Sequence, residues 1–460
     1  MLKEPKTKKY LEAVKIITRL QKENHQAYLA GGCVRDLLTN KKPKDFDIST
    51  SAKPEEIQAL FPKTKAVGKA FGVILVVGQY GTFEVATFRG EKDYQDGRRP
   101  SKVFWVDAQK DAQRRDFTIN GIFYDPIKKK IIDFVGGQKD LSSKVIRFIG
   151  IPAKRIQEDH LRLLRAVRFK NVLGFNFERE TEKAIRQYSH LITSVSQERI
   201  KEELDKMLAH PSRAESIRDL SRLGLLKEIL PEVEQMKGVE QPPHFHAEGD
   251  VFEHTLLALE KLPSRVKIEV AWAILLHDVG KPVTFQIRNH PTYGPRPTFY
   301  GHSEVGAEIT EKICQRLRFS KKEKEKIVFL VRQHLRHKDI QQMKLSRQRK
   351  WAQHPWFSDL LLLWKADAEA SYLGEKGRVD LTLYRFAQKI YQEEQQRPKP
   401  PKPLITGYDV MKYCHLAPGP LIGKILKQIE EAQLEEKIRT KKEALEYLKS
   451  LGSKEKNILK

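Results

Sequence analysis

Little in this chain speaks for secretion, a membrane or a disulfide scaffold. Three of its 460 residues are cysteine, Cys33, Cys314 and Cys414, and they form neither a CxxC nor a paired framework. Reduced thiols are therefore expected, with no role assigned to them. No apolar run is long enough to cross a bilayer, and the opening "MLKEPKTKKYLEAV" is charged where a signal peptide would be apolar. A cytosolic protein with no membrane partner is expected. Internal repeats are missing, and "RPKPPKP" (Arg397 to Pro403) is the single low-complexity stretch, read as a stiff extended linker. Acidic residues are also short, 60 Asp+Glu against 85 Lys+Arg, for a net charge of +25. That excess favours a polyanionic partner, and RNA or DNA ahead of an acidic membrane, because no basic amphipathic segment with an aromatic face stands out.

What is present divides the chain. Over residues 27 to 135, short β-rich runs alternate with turns: "AYLAGG" reads as a strand into a glycine turn, "VRDLL" as a short helix and "DFDIST" as a strand. "FGVILVV" and "TFEVATF", joined by "GQYG", read as a hairpin, and "KIIDFVGG" as a further strand and turn. From "QEDHLRLLRAVRFKNVLGF" onward, apolar residues recur every three or four positions and predict helices past residue 370. "VEQPPHFHAEGD" (239 to 250) interrupts them. The expected fold class is α+β, a head with a mixed β-sheet and helices (1–150). An all-α neck (151–238), a helical body (239–396), and a linker with a helical tail (397–460) follow.

"KDFDIST" carries the first chemical signal. On a strand Asp45 and Asp47 share one face while Phe46 points into the core. Two carboxylates so placed repel unless a cation lies between them, and oxygen ligands suit a hard divalent ion such as Mg²⁺, which also binds nucleotide phosphates. Gly31 and Gly32 remove side chains where backbone amides can approach a phosphate, and the helix that follows favours anions at its start. Glu84, in "TFEVATFR", lies on a strand of the same head and can complete the metal site.

The chain here resembles the nucleotidyltransferase superfamily, specifically the class II tRNA nucleotidyltransferase and bacterial poly(A) polymerase family. "LAGGCVRDLL…DFD" is similar to its signature. "RRDFTIN" (Arg114 to Asn120), "DFVGGQKDL" (Asp133 to Leu141) and "EDHLRLLR" (Glu158 to Arg165) are similar to the motifs that follow, in the family's order. The resemblance implies that Asp45 and Asp47 hold the metal ions, and Glu84, from the strand reading above, joins them as the third catalytic carboxylate. It further implies that Arg115 and Asp116 contact the ribose and that Asn120 helps hold the nucleotide. Gly31, Gly32, Arg35 and Arg165 complete the nucleotide-binding set. Gly121 stands where relatives often have Ala.

Asp159 and Arg162 are three residues apart in a helical pattern, so an acceptor and a forked donor are expected side by side on one face. Cytosine and adenine both offer an exocyclic amine beside a ring-nitrogen acceptor, whereas uracil and guanine offer a carbonyl beside an N–H. Such a pair selects C and A; the bland alternative is a salt bridge from Glu158 or Asp159 to Arg162. Switching between bases needs a moving part, and "RGEKDYQDGRRPSKVF" (Arg89 to Phe104) reads as a mobile loop. Family members that add only CC look shortened there, and this chain keeps "DGRRP".

A second set follows: His254, His277, Asp278, His302, His334 and Asp367. It resembles the HD metal-dependent phosphohydrolase domain. The resemblance implies that His254, His277, Asp278 and Asp367 ligate one transition-metal ion, that His302 and His334 serve a second ion or a phosphoryl group, and that Lys281 contacts phosphate. A purely scaffolding body is the alternative. His244 and His246, an HxH in "PPHFHAEG", are read as loop histidines. The expectation is a CCA-adding tRNA nucleotidyltransferase with tRNA, CTP and ATP as partners and Mg²⁺ as cofactor. The alternatives are an A-adding enzyme or poly(A) polymerase, or an HD phosphohydrolase acting on 2′,3′-cyclic phosphates.

Overall fold

The structure, a computed structural model, describes residues 2, 4–68, 72–95, 99–242, 249–292, 294–371, 379–397 and 403–455. It divides into two compact units, Met1–Glu234 and Gln235–Lys460. His244, His246, the middle of the "RPKPPKP" linker and the tip Asp96 to Arg98 of the expected loop lie outside the described residues.

In the first unit, strands β1 (Ala27–Ala30), β2 (Ile48–Thr50), β3 (Thr64–Gly68), β4 (Val73–Val77), β5 (Thr82–Thr87), β8 (Ile122–Asp125) and β9 (Lys130–Asp133) form one sheet, ordered β3-β4-β5-β2-β1-β8-β9. It is mixed, because β2 and β5 run parallel while the other pairs are antiparallel. Helix α1 (Lys8–Lys22) buries Tyr10, Ala13, Ile16, Ile17 and Leu20, an i, i+3, i+4, i+7 stripe. They join the core that holds Leu29, Ile48, Phe83 and Val85. At roughly 1.5–3 kcal/mol for each large apolar side chain buried, that stripe fixes α1 against the central strands β1 and β2.

The β4–β5 hairpin forms as expected. The "DFDIST" strand is shorter than expected: β2 begins at Ile48, and Asp45 and Asp47 lie in the extended segment before it. The cause is next door. Strand β1 ends at Ala30 and the chain turns away at Gly31 (φ 69°), so beyond one bond from Ala30 N to Asp47 O nothing remains to pair with. Alternation survives: Phe46 is buried while Asp45 is exposed and Asp47 only partly covered. The expected loop at Arg89 to Phe104 is a two-stranded ribbon, β6 (Arg89–Gln95) with β7 (Arg99–Trp105), whose charged sequence hides the pairing.

Helix α2 (Gly32–Leu38) follows the glycine turn, with α3 (Pro54–Leu60), α4 (Ala108–Arg114) and α5 (Gly137–Ser142) on the head and α6 (Pro152–Glu158) and α7 (Arg162–Leu173) beyond it. A small parallel pair, β10 (Val145–Ile146) with β11 (Asn176–Phe177), corrects the all-α expectation for the neck. The body is likewise not wholly helical, since β12 (Gln286–His290) and β13 (Gly294–Thr298) form a hairpin in "FQIRNHPTYGPRPTF".

The second unit is built around the helix Ile268–Leu276, buried on every side from Val270 to Leu276, as its continuous apolar sequence requires. The helices Val251–Lys261, Lys321–Arg332 and Phe357–Ala370 pack on it. Helices Gly407–Cys414, Pro420–Leu434 and Lys441–Glu455 form a separate apolar cluster through Val410, Ile425, Ile429 and Leu448.

Candidate functional site

In the first unit a cleft of about 590 Å³ opens beside the glycine turn. It brings together Gly31, Gly32, Arg35, Arg115, Asp116, Asn120, Asp159, Arg162 and Arg165, all expected from the motifs. Gly31 is required twice: its φ of 69° disfavours a side chain, and a Cβ would lie 3.2 Å from Arg115 Nη1. Arg115 donates to Asp111 Oδ2 (3.0 Å), Ser49 Oγ (3.0 Å) and Asn120 O (3.3 Å), tying α4 to β2 and to the turn Thr118–Asn120. Arg35 donates to Asn120 Oδ1 (2.8 Å) and Asp36 Oδ1 (2.8 Å).

Asp116 is buried, and both its oxygens are engaged. Oδ1 accepts from Phe117 N (2.8 Å) and Asn120 Nδ2 (3.0 Å), and Oδ2 from Arg165 Nε (2.9 Å) and Nη2 (2.6 Å). Burial opposes its charge, yet Arg165 and Asn120 outweigh that and hold the carboxyl down at about 2. So placed, it orients Asn120 and Arg165, with no oxygen free of a protein partner.

The expected Asp159/Arg162 helix face does not exist. Asp159 sits at the break between α6 and α7, with φ −149° and ψ 104°, and Arg162 is the first residue of α7. The break is stabilised locally, since Asp159 O accepts from Arg162 N (3.0 Å) and Asp159 Oδ1 from Leu161 N (3.2 Å). Both side chains still line the cleft, each with another partner: Asp159 Oδ2 with Arg199 Nη2 (3.0 Å), and Arg162 Nη1 with Glu158 Oε2 (2.7 Å). The Glu158–Arg162 salt bridge is thus real.

Arg114, Leu161, Arg168, Phe169 and Arg199 also line the cleft. The signal for two of them was the three-residue spacing Arg162, Arg165, Arg168 with Phe169; Arg35, Arg165 and Arg168 lie over the Phe169 ring at 5.2, 5.3 and 4.2 Å. Arg199 carries no local signal, because it arrives from another helix, Gln197–Leu208.

Asp47 and Glu84 are neighbours through the parallel register, in which Ile48 pairs with Val85. Burial, then the charges of Glu84 and Asp45, push Asp47 up to about 6, against the pull of Arg115 and Lys9. This like-charge crowding of oxygen donors suits a hard divalent ion. Asp45, with its side chain 73% exposed, is turned onto Lys9 Nζ at 2.6 Å. Among the described residues the three head carboxylates do not close into a three-donor cluster.

Such clusters do occur in the second unit: His254, His277 and Asp367 form one, and Asp278, His302 and His334 the other. The apolar helix Ile268–Leu276 ends by delivering His277 and Asp278 into the core. His254 comes from Val251–Lys261, His302 from the start of His302–Arg316, His334 from just after Lys321–Arg332, and Asp367 from Phe357–Ala370. His254 Nε2 lies 3.0 Å from Asp367 Oδ1, and Lys281 Nζ 2.6 Å from Asp278 Oδ2. Burial, then His277, keep His334 neutral down to about 3, the form that ligates metal. Although burial opposes ionisation there too, Asp278 and Asp367 stay charged, chiefly through His277 and Lys281 for the first and His254 and His277 for the second.

Comparison with known proteins covers nearly the whole chain. The family described as "Poly A polymerase head domain" matches residues 27–147, "Probable RNA and SrmB- binding site of polymerase A" residues 174–237, and "tRNA nucleotidyltransferase domain 2 putative" residues 302–448. A CCA-adding enzyme of Bacillus cytotoxicus is 30% identical over 95% of this chain and 97% of its own. An A-adding tRNA nucleotidyltransferase of Deinococcus radiodurans is 33% identical over 92% of this chain and 94% of its own. The crystal structure of the Bacillus stearothermophilus CCA-adding enzyme in complex with CTP superposes with a TM-score of 0.70 at 26% identity, covering 98% of this chain and all of that one.

Proposed function

Because this chain belongs to the class II tRNA nucleotidyltransferase family that includes the CCA-adding enzymes, we propose that it adds CMP and AMP from CTP and ATP to the 3′ end of tRNA, building or repairing CCA. The observation that carries this reading is the arginine-lined cleft set beside the crowded carboxylates of Asp47 and Glu84. Template-independent transfer needs a phosphate seat, a metal seat and a means of reading one base, and this unit offers residues for each.

In this reading the terminal ribose 3′-oxygen bonds to the α-phosphorus, the bond to the β-phosphate oxygen breaks, and pyrophosphate leaves while the hydroxyl proton passes to solvent. Asp45 and Asp47, with Glu84, would hold Mg²⁺, Asp45 exchanging Lys9 for the ion. When bound, the ion acidifies the attacking hydroxyl and neutralises charge on the departing pyrophosphate. Gly31 and Gly32 let the triphosphate approach the backbone, Arg35 faces it, and Arg115 contacts the ribose. Asn120 and Arg165, fixed by Asp116, orient the sugar end. Asp159 accepts from the exocyclic amine of C or A, and Arg162 donates to the ring nitrogen, each exchanging its present partner for the base.

The four-part division into head, neck, body and tail belongs to the same reading, as does a cytosolic site of action; no helix among the described residues is long and apolar enough to cross a membrane. A second reading, A-only addition, is favoured by the 33% identity to the Deinococcus radiodurans relative. Transcripts of tRNA ending before CCA, after C and after CC, incubated with CTP and ATP separately and together, separate the two. The expected products are three, two and one added nucleotides with both substrates. Indifference to CTP on the first transcript rejects CCA addition in favour of A-addition, and long A tails indicate poly(A) synthesis.

A further inference from the structure

We propose that helix α1 positions the carboxylate seat of the head: Lys9 holds the Asp45 segment and competes with the divalent ion for it, while Glu12 fixes the turn that delivers Glu84. The inference rests on the reading that these carboxylates hold the ion of the transfer reaction, and it adds two positioning residues to that reading.

Asp45 needs support from outside the sheet. It precedes β2, where no partner strand remains beside it. Three consecutive residues are held there by α1 instead. Lys9 Nζ donates to Lys44 O (3.1 Å) and to Asp45 Oδ1 (2.6 Å), and the Tyr10 ring meets the Phe46 ring edge-on with centroids 5.4 Å apart. Tyr10 belongs to the buried stripe of α1, so this hold is anchored in the core.

Glu12 follows three residues later on the same helix face as Lys9. Its Oε1 accepts from Gln79 N (2.6 Å) and its Oε2 from Tyr80 N (2.8 Å), so one carboxylate satisfies both amides at the tip of the β4–β5 hairpin. The turn sequence "GQYG" fits around the two α1 side chains: a Cβ on Gly78 would lie 2.4 Å from Glu12 Cδ, and one on Gly81 3.1 Å from Lys9 Cε. Strand β5 starts directly after that turn, at Thr82, and carries Glu84 opposite Leu75. One helix face therefore grips both segments that bring carboxylates to the seat, and the glycines admit that grip.

Lys9 also acts through its charge. With Arg115 it opposes the rise of Asp47. An ammonium 2.6 Å from an oxygen donor stands where a divalent ion would bind, so Asp45 serves one cation or the other. The side chains of Asp45 and Lys9 are 73% and 28% exposed, and water screens the pair enough to make the exchange reversible.

The test is calorimetric titration of the full chain with Ca²⁺, which takes oxygen ligands, each protein being paired with its Asp47→Ala counterpart so that binding in the head is read by difference. Lys9→Met is expected to tighten that binding about threefold to tenfold, and Lys9→Arg to restore the parent value. Glu12→Ala is expected to weaken it about tenfold, as loss of a supporting group does. Opposite signs from residues one turn apart exclude a mere loosening of α1, which would weaken both. Equal or weaker binding in Lys9→Met overturns the competition, and unchanged binding in Glu12→Ala overturns the hold on the hairpin. Should Glu12→Ala not fold, the exposed Lys9→Met and Lys9→Arg pair decides alone. If the parent and Asp47→Ala take up Ca²⁺ alike, the head has no ion seat, and the metal assignment of the transfer reading falls together with this inference; a seat that is present but indifferent to Lys9 and Glu12 overturns the inference alone.

Discussion

Two aspartates in one unit are driven in opposite directions by their neighbours, and each direction states a role. Asp116, held at about 2 by Arg165 and Asn120, is a satisfied anion that fixes other groups. Asp47, pushed up to about 6 by burial, Glu84 and Asp45, is an unsatisfied one. In the ion-free protein the folded state binds the Asp47 proton more tightly than the unfolded chain does. The resulting penalty is absent below the usual 3.8, grows as pH rises to about 6, and is then constant. It amounts to at most about 3 kcal/mol. Asp47→Asn should therefore raise the thermal midpoint at pH 8 without divalent ions, with the gain vanishing by pH 4. It should also cut CMP transfer by at least about 100-fold, as loss of a metal-holding group would. Calorimetry across that pH range, with incorporation assays in parallel, reads both; a variant less stable at pH 8 would show that Lys9 and Arg115 already neutralise the site.

Close backbone approach decides matters at the scale of elements. A Cβ on Gly280 would lie 2.2 Å from His302 O and 2.7 Å from Gly306 N, so the turn after His277 and Asp278 rests directly on the helix His302–Arg316. Gly280→Ala must push them apart at a cost of about 1–3 kcal/mol and withdraw His302 from Asp278. The expected outcome is a lower thermal midpoint, read by calorimetry; an unchanged midpoint would mean that the helix His302–Arg316 yields to the added methyl group without cost. Other elements differ in how openly the sequence announced them. The β4–β5 hairpin was legible because alternation and a turn sequence agree, and so was the burial of Phe46 between two more open aspartates. The break at Asp159 was not, since apolar periodicity runs straight through it and a turn held by backbone bonds leaves no trace in side-chain spacing. Nor was the β6–β7 ribbon legible, its charged residues masking a strand pattern. Arg199, forty residues from Asp159, was beyond reach because only tertiary packing pairs them. The histidines of the second unit were visible in order, whereas their gathering with Asp278 and Asp367 into two three-donor clusters depends on the packing of separate helices.

For the whole molecule, the net charge of +25 has to be placed. The cleft does not hold it, although seven arginines line that cleft. Each is already paired: Arg35 with Asp36, Arg114 and Arg115 with Asp111, Arg162 with Glu158, Arg165 with Asp116, Arg168 with Glu203 and Arg199 with Asp159. Those guanidiniums are aimed and fixed, and they add little net field. The unbalanced cations lie on exposed segments such as Lys41, Lys42 and Lys44, and Lys128 to Lys130. Nucleotide binding and RNA binding should therefore respond to salt differently. Each RNA phosphate neutralised by a surface cation contributes about −0.7 to −0.9 to the slope of log K against log salt. For the extended contact that such a charge allows, a slope of −4 or steeper is expected for tRNA. That is a loss of about 100-fold in affinity or more between 50 and 200 mM KCl at fixed Mg²⁺. CTP affinity, set by paired arginines inside the cleft, should fall much less over the same range. Filter binding of tRNA and equilibrium dialysis of CTP measure the two slopes on one preparation. Parallel slopes would place the polyanion grip in the cleft itself, and the ion pairs described there would then have to open on binding.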